Sequence, residues 1–283
     1  MAAPLTTLRV QQVGLQATVQ DLGRPGLAHL GVPTAGAVDR GGIQTANRLV
    51  GNDDAAAVLE LVLRGGTFTV SGETRIAVVG AQWSVDGHPA HPDSPHVVSA
   101  GATIEVAPAG GVYTYVAVAG GIDVPQVLGS RSTDTLSAIG QEALKPGDIL
   151  AIGDGTVDQT ATRLPPTRAD GPLHVVLGPR DDWFTDDALT ALLEAEWTVT
   201  PTSDRVGLRL SGRALQRRKS EQLPSEGMVT GAIQVPPNGQ PILFLANHPT
   251  TGGYPVIAVV ASTDVDRAAQ SRPGAKLRFQ RMA

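Results

Sequence analysis

A few short stretches gather charge, amide and glycine tightly enough to do chemistry. Thr18–Gly31 reads TVQDLGRPGLAHLG, with Asp21, Arg24 and His29 set among glycines. Arg24 precedes Pro25, which biases its backbone to an extended form, and the glycines at 23 and 26 let the chain approach a ligand closely. Ser203-Asp204-Arg205 is followed by Gly207, and Ser225-Glu226-Gly227 leads to Gln234-Val235-Pro236-Pro237-Asn238-Gly239. The last stretch, Asn247–Pro255, reads NHPTTGGYP. Two threonine hydroxyls and consecutive backbone N–H groups there have the makings of an anion or oxyanion nest. Taken singly, each stretch is also what a turn looks like, since Asp, Asn, Gly and Pro belong in turns.

Several chemistries are missing. The chain has no cysteine, which excludes disulfides, zinc–thiolate sites, iron–sulfur clusters and cysteine nucleophiles. There is no G-x-x-x-x-G-K-[ST] phosphate loop, and Gly153-Asp154-Gly155 does not extend into G-x-G-x-x-G. Ser130 sits in LGSRS and not in a G-x-S-x-G elbow, and no H-E-x-x-H zinc helix occurs. Nor is there an Ala-Met-Lys tripeptide of the kind in which biotin carriers present their lysine. His88, His91 and His96, with Asp86 and Asp93, crowd into VDGHPAHPDSPH and suggest zinc or manganese ligands. However, Asp86-Gly87 is a turn dipeptide between strand-like runs, and the prolines around it indicate an extended loop. We read a hairpin loop there and assign no metal.

The elements that must position these groups are short. Arg75–Gly80, Thr103–Ala107, Val112–Ala119, Leu173–Leu177, Val206–Leu210, Ile242–Ala246 and Val256–Ala261 are β-branched, apolar or alternating runs of strand length. Two helices are expected. Asp39 caps one carrying Ile43, Ala46 and Leu49–Val50, with Gly51 as its stop; the other runs from Thr185 or Asp186 through Leu189, Leu192 and Leu193. Gly 33 and Pro 21 in 283 residues, with aromatics at 4%, agree with many strands joined by tight turns. Hydrophobic content of 41% and charge of 17% fit a globular chain with a real core. A net charge of −5 argues against nucleic acid or an anionic membrane as partner. The start, MAAPLTTLRV, lacks a signal pattern, and no apolar run approaches the ~20 residues that cross a bilayer. A soluble, cytoplasmic protein is expected.

Thr160–Pro172, TATRLPPTRADGP, reads as a linker, giving an N-terminal domain over 1–165 and a C-terminal one over 166–283. The expectation allows strands to be exchanged across that boundary. A weak echo, Val32-Pro33-x-x-Gly36 with Ala46-Asn47 against Val235-Pro236-x-x-Gly239 with Ala246-Asn247, suggests a duplication.

Together, TVQDLGRPG…HLGVPTAGAVD, ANRLVGN, VAGGIDVPQVLGSRSTD, SDRVGLRLSG, SEGMVTGAIQVPPNGQPI and TTGGYPVIAVV closely resemble the KipA-type family. It is also called allophanate hydrolase subunit 2, or the biotin-dependent carboxyltransferase family. The resemblance runs from about Leu8 to Phe279 and implies a mainly β fold of two cyclophilin-like β-barrel domains with a few short helices. It implies one of three activities. 5-Oxoprolinase members, with partner subunits, open 5-oxo-L-proline to L-glutamate under ATP hydrolysis; related domains move a carboxyl group from carboxybiotin to urea; the founding regulatory member binds a kinase inhibitor. Fold alone does not choose among them.

The leading expectation is a C-type component of a 5-oxoprolinase, working with a KipI-like (B-type) partner, and with an A-type one, on a small cyclic amide. ATP is expected to be bound by the complex, and biotin enters only on a separate carrier under the carboxyl-transfer alternative. An unstrained lactam is a poor electrophile, so ATP would phosphorylate the amide oxygen. Such a site needs cations, for which Arg24 and Arg205 are candidates. It needs a base for water, for which Asp21, Asp204, Glu226 and His248 compete. The expected substrate-binding set is Arg24, His29, Arg205, Gln234, Asn238, Thr250, Thr251, Gly252, Gly253 and Tyr254, with an oxyanion held by N–H groups around Thr251–Gly253. Relatives commonly read Ala-Asp-x-Gln where this chain has Ala246-Asn247-His248-Pro249. Asn247 cannot act as a base, so His248 is the alternative proton-transfer group. Arg24 and Arg205 are expected to be accessible, in a cleft shared by the two halves.

Overall fold

A computed structural model describes residues 6–108, 110–154 and 171–282. These fall into two compact units, one of residues 6–24 and 35–154, the other of residues 25–34 and 171–282. Most of the expected linker Thr160–Pro172, and the expected domain limit within it, lie outside the described residues. The fold is mainly β, as expected, with only three α-helices among the described residues.

The first unit stacks two sheets. One runs in the order Ile122–Asp123, Ile149–Ile152, Thr7–Val13, Gly66–Val70, Thr103–Val106, Trp83–Val85, His88–Ala90. The other runs Gln16–Gln20, Val58–Val62, Tyr113–Val118, Thr74–Val79, His96–Val98. Side chains from both sheets share one core, including Leu8, Val10, Val19, Leu59, Phe68, Ile76, Ile104 and Val116. Each such buried side chain contributes roughly 1.5–3 kcal/mol through removal from water.

The apolar run at Tyr113–Val118 has no polar face because both of its faces are covered. Val116 and Val118 point into the shared core, and helix α1 (Arg40–Val50) packs on this strand and on Thr74–Val79. Helix α1 forms as its sequence dictates. The Asp39 side chain accepts from the Gly42 N–H at 2.7 Å, Ile43, Ala46, Leu49 and Val50 are buried, and Gly51 ends it in the left-handed region. Beneath its start, buried Glu60 accepts from the Tyr115 hydroxyl and the Val38 N–H, each at 2.9 Å.

The His-rich stretch is a hairpin. Val85 pairs with His88 across Asp86 and Gly87, both at positive φ (49° and 77°), the geometry of a two-residue type I′ turn. The His96 ring is engaged there, with Nε2 accepting from the His91 N–H at 3.0 Å.

In the second unit one sheet runs Lys276–Leu277, Trp197–Val199, Gly207–Ser211, Ile242–Phe244, Ala232–Gln234, Val256–Val260, Leu173–Leu177, Phe279–Arg281. Its two end strands are separated in the chain by a single residue, Arg278. Consecutive Cα atoms lie about 3.8 Å apart, so the two ends of the order must meet and the sheet curls into a nearly closed barrel. A two-stranded ladder, Glu226–Gly227 with Thr251–Gly252, stands beside it.

Helix α2 (Asp186–Glu194) starts at Thr185, whose hydroxyl accepts from the Ala188 N–H at 3.1 Å. It buries Ala188, Ala191 and Leu192, while the expected Leu189 and Leu193 are only half-buried. Helix α3 (Ser262–Ala269) was not expected, because its buried stripe of Val265, Ala268 and Ala269 is too small to stand out as a pattern. The echo marks no repeated element: Asn47 lies inside α1, whereas Asn247 lies in the turn after Ile242–Phe244.

Candidate functional site

In the first unit the Gln16–Gln20 strand delivers Asp21 and Arg24 to the loop 127–140. The Asp21 carboxylate accepts from the Gly23 N–H, the Ser130 hydroxyl and the Arg131 N–H, each at 2.7 Å, and from the Ser132 hydroxyl. With its lone pairs so occupied, Asp21 is a clamp that fixes the Gly129–Asp134 stretch and not a base waiting for water. Arg24 is only 2% exposed, and its guanidinium donates from Nη2 to the Ser132 carbonyl at 2.6 Å and from Nε to the Val127 carbonyl at 3.3 Å. Burial pushes its pKa down, with Asp21 and Asp134 opposing. The expectation of an accessible Arg24 is therefore corrected: carbonyls of the loop need an internal donor, and Arg24 supplies it.

Arg205, in the second unit, is corrected in the same way. It is 3% exposed, its Nη2 donates to Asn247 Oδ1 at 3.1 Å, and its carbonyl accepts from the Asn247 N–H at 3.0 Å. Loss of water around the guanidinium lowers its pKa to about 9. Asp204 is exposed and folds back on its own turn, accepting from the Val206 and Gly207 N–H groups at 2.8 and 3.1 Å. Asn238 does likewise with the Gln240 N–H at 3.0 Å. Short amide and carboxylate side chains close such turns readily, and that is the role both play here. His29 lies in the 3-10 turn Ala28–Leu30, exposed, with Nδ1 3.1 Å from the Gly26 carbonyl. It belongs to the second unit by its contacts, not to the first as chain order implied.

The remaining candidates converge around NHPTTGGYP. Thr251–Gly252 pairs with Glu226–Gly227, and the Met228 N–H donates to the Thr250 carbonyl at 2.9 Å. Buried Gln234 donates to the Tyr254 carbonyl at 2.9 Å and lies against Met228 and Gly252. No residue from Thr250 to Tyr254 has a positive φ. The stretch is a two-residue strand, Thr251–Gly252, with bends at Thr250, Gly253 and Tyr254, and it lacks the left-handed residue of the alternating nest expected there. What it presents is a strand edge with Tyr254 exposed at its end.

Two arginines that the sequence pattern does not single out flank this edge. Arg180 forks onto Glu226, with Nε 2.9 and 3.1 Å from the two carboxylate oxygens and Nη2 on one of them. That hydrogen bonding raises the Arg180 pKa and lowers that of Glu226, so Glu226 holds its charge instead of accepting a proton. Arg217 donates to the Val235 carbonyl and lies over the Tyr254 ring at 5.8 Å. The run Arg217-Arg218-Lys219 is its only sequence signal.

His248 is a buried imidazole in the same stretch. It is 6% exposed, and its Nδ1 lies 2.8 Å from the Pro249 carbonyl. A carbonyl only accepts, so Nδ1 carries the proton and Nε2 the lone pair of the neutral ring. Burial lowers its pKa, the Pro249 hydrogen bond opposing, which keeps it neutral at physiological pH.

Residues 30–281 match the carboxyltransferase domain, subdomain A and B. The chain belongs to this family. The C-type subunit of 5-oxoprolinase from Escherichia coli is 36% identical over 281 residues, covering 96% of this chain and 90% of that protein. The crystal structure of TTHA0988 superposes with a TM-score of 0.89 at 32% identity, covering 98% of this chain and 56% of that one. The urea amidolyase of K. lactis superposes with a TM-score of 0.93 at 27% identity over all of this chain, which spans only 19% of that enzyme. The family read from the sequence is therefore the family found, and its relatives are subunits or parts of enzymes. No helix among the described residues is long and apolar enough to cross a membrane.

Proposed function

We propose that this chain is the C-type subunit of an ATP-dependent 5-oxoprolinase, opening 5-oxo-L-proline to L-glutamate within a cytoplasmic complex. The observation that carries this reading is reciprocal coverage, 96% of this chain against 90% of the C-type 5-oxoprolinase subunit from E. coli. In this reading a KipI-like protein and an A-type partner complete the enzyme. When bound, ATP supplies the phosphoryl group that turns the lactam oxygen into a leaving group. Arg24 and Arg205 are internal, so we assign ATP to the complex and not to residues of this chain. His248 Nε2 takes a proton from the attacking water, a role its lowered pKa suits. Gln234 and the Glu226–Gly227 ladder hold Thr251–Gly252 as a strand so that its edge can pair with the amide of the substrate. The test is reconstitution with both partner subunits on 5-oxoproline and ATP, following glutamate and ADP. Stoichiometric formation of both supports the proposal; a complete, folded complex yielding neither sinks it.

The match to urea amidolyase favours a second reading, transfer of a carboxyl group from carboxybiotin on a separate carrier to urea or a similar amide. It requires avidin-sensitive turnover, which the first reading does not.

A further inference from the structure

Within the first unit, a cleft of about 560 Å³ opens between the Gln16–Gln20 strand and the segment 133–145. That segment rides along the free edge of the strand. The Thr133 N–H donates to the Val19 carbonyl at 2.9 Å and the Leu144 N–H to the Ala17 carbonyl at 2.8 Å, and the chain between them bows outward. The cleft is distinct from the His248 cluster, which belongs to the second unit.

Its lining mixes apolar surface at Ala138, Gly140 and Ala143 with polar groups, and it carries both signs of charge: amides from Gln16 and Gln141, carboxylates from Asp134 and Glu142, and the Lys145 ammonium. One lining residue, Thr133, has a buried hydroxyl, Oγ1, with no hydrogen-bond partner among the described residues, and Gln20 Oε1 and Arg24 Nη1, which do not line the cleft, are unpartnered next to it. They lie together, since Gln20 Nε2 donates to the Thr133 carbonyl at 3.0 Å and Arg24 Nη2 to the Ser132 carbonyl at 2.6 Å. Gly140 covers the guanidinium, and a Cβ built there would stand 3.2 Å from Arg24 Nη2. Leaving buried donors and acceptors unmatched is unfavourable, and native proteins rarely do so without a functional reason.

The chemistry of the lining selects the ligand. Among the described residues no aromatic ring lines the cleft, which disfavours a sugar or a nucleobase. A polyanion would meet Asp134 and Glu142 with only Lys145 in its favour at the mouth. A hydrocarbon would strand the amides and charges. A molecule carrying one positive and one negative group satisfies both. Glu142 and Lys145 already form an ion pair at 3.4 Å, with side chains 83% and 72% exposed. Such exposed pairs are weakly held, so a ligand can part them and take their place.

We propose that this cleft binds a small zwitterionic α-amino acid, its carboxylate on Lys145, its ammonium on Glu142, and its body against the Thr133 wall. An α-amino acid is also the product class when a lactam such as 5-oxoproline opens; that connection rests on the proposed function, whereas the binding does not. Calorimetric titration of the full chain, without ATP or partner subunits, separates the two. Glycine, L-alanine and L-glutamate are the probes, with propionate, ethylamine and inorganic phosphate as single-sign controls. The expected result is saturable binding of at least one amino acid with a dissociation constant of about 1 mM or tighter. Lys145→Met and Glu142→Gln, both at exposed positions, should each weaken it about tenfold or more, and the controls should bind at least about tenfold more weakly. Thr133→Val, which keeps the shape and removes the hydroxyl, should weaken it too. Absence of saturable binding up to about 20 mM, variants that bind as the parent does, or controls that bind equally well would each overturn the proposal.

Discussion

Replacing His248 by asparagine or glutamine separates a catalytic role from a structural one. The asparagine amide reaches where Nδ1 lies and can still donate to the Pro249 carbonyl, now 2.8 Å from the ring, but it has no lone pair at the Nε2 position. Glutamine reaches the Nε2 position and forfeits the Pro249 contact. If His248 is the base, His248→Asn lowers glutamate formation by the reconstituted complex about 10²–10⁴-fold, roughly 3–5 kcal/mol of transition-state stabilisation. Stability should fall by only about 1–2 kcal/mol, from lost packing beside Phe244. The pH profile adds a second readout. Burial holds the folded pKa below the ordinary 6.5. Between those two values the unfolded chain carries the proton and the folded chain does not, so stability rises with pH across that window. It is lost as pH falls through the window, by about 1.4 kcal/mol for each unit of displacement, and is unaffected above it. The parent should therefore show an acid limb of kcat/KM with its midpoint below 6.5 and a matching drop in Tm on acidification. His248→Asn should lack that component of the Tm drop. Activity within threefold of the parent, or an acid limb centred above 6.5, would refute the assignment.

Asp21→Asn places an amide N–H₂ among four donors. It should cost about 2–4 kcal/mol, read as a Tm lowered by several degrees; an unchanged Tm would show that the clamp does not hold the loop. Gly140→Ala puts a Cβ into the Ser132 carbonyl at a φ of 89° and should cost about 2–4 kcal/mol in chemical denaturation, whereas a tolerated alanine would mean the loop 132–140 is free to move. Asn247→Asp replaces the neutral amide oxygen that accepts from the charged Arg205 with a carboxylate, turning a charge-assisted hydrogen bond into an ion pair. Tm at pH 7 should rise, with the gain disappearing as acid protonates the new carboxylate; a fall in Tm at neutral pH would count against that picture.

Much of the fold was legible because local and global signals agree. The Asp39 cap, the Gly51 stop and the Asp86-Gly87 turn each depend on a few adjacent residues, and each forms as read. The strand runs were equally plain, since Tyr113–Val118 lies between two covered layers and shows no polar face. Helix α3 was missed because alanines fill its buried side. The site was less legible, and for a different reason. Asp21, Arg24 and Arg205 have the residue types of catalysis, yet partners some 110 residues away (for Asp21 and Arg24) or 42 away (for Arg205) make them internal supports. Asp204 and Asn238 answer to their own backbones two residues on. Arg180 and Glu226 come together across 46 residues, a pairing that no local spacing announces. Family-level resemblance pointed to stretches without saying which side chains within them are internal supports.

The barrel of the second unit is closed by residues 276–281, whose two strands seal both ends of the sheet. Phe279 pairs with Leu173, across 106 positions of chain, and Leu277 with Trp197. During synthesis every other strand of that sheet therefore emerges while two of its edges are still bare. Bare edges recruit other strands, so the nascent unit is open to pairing with a neighbouring chain until this short segment is in place. Loss of six residues would strip both end strands from the nearly closed sheet and leave two adhesive borders. Removing residues 276–281 should thus cost solubility before it costs secondary structure, and an independently added peptide of the same sequence should restore it by sealing the seam.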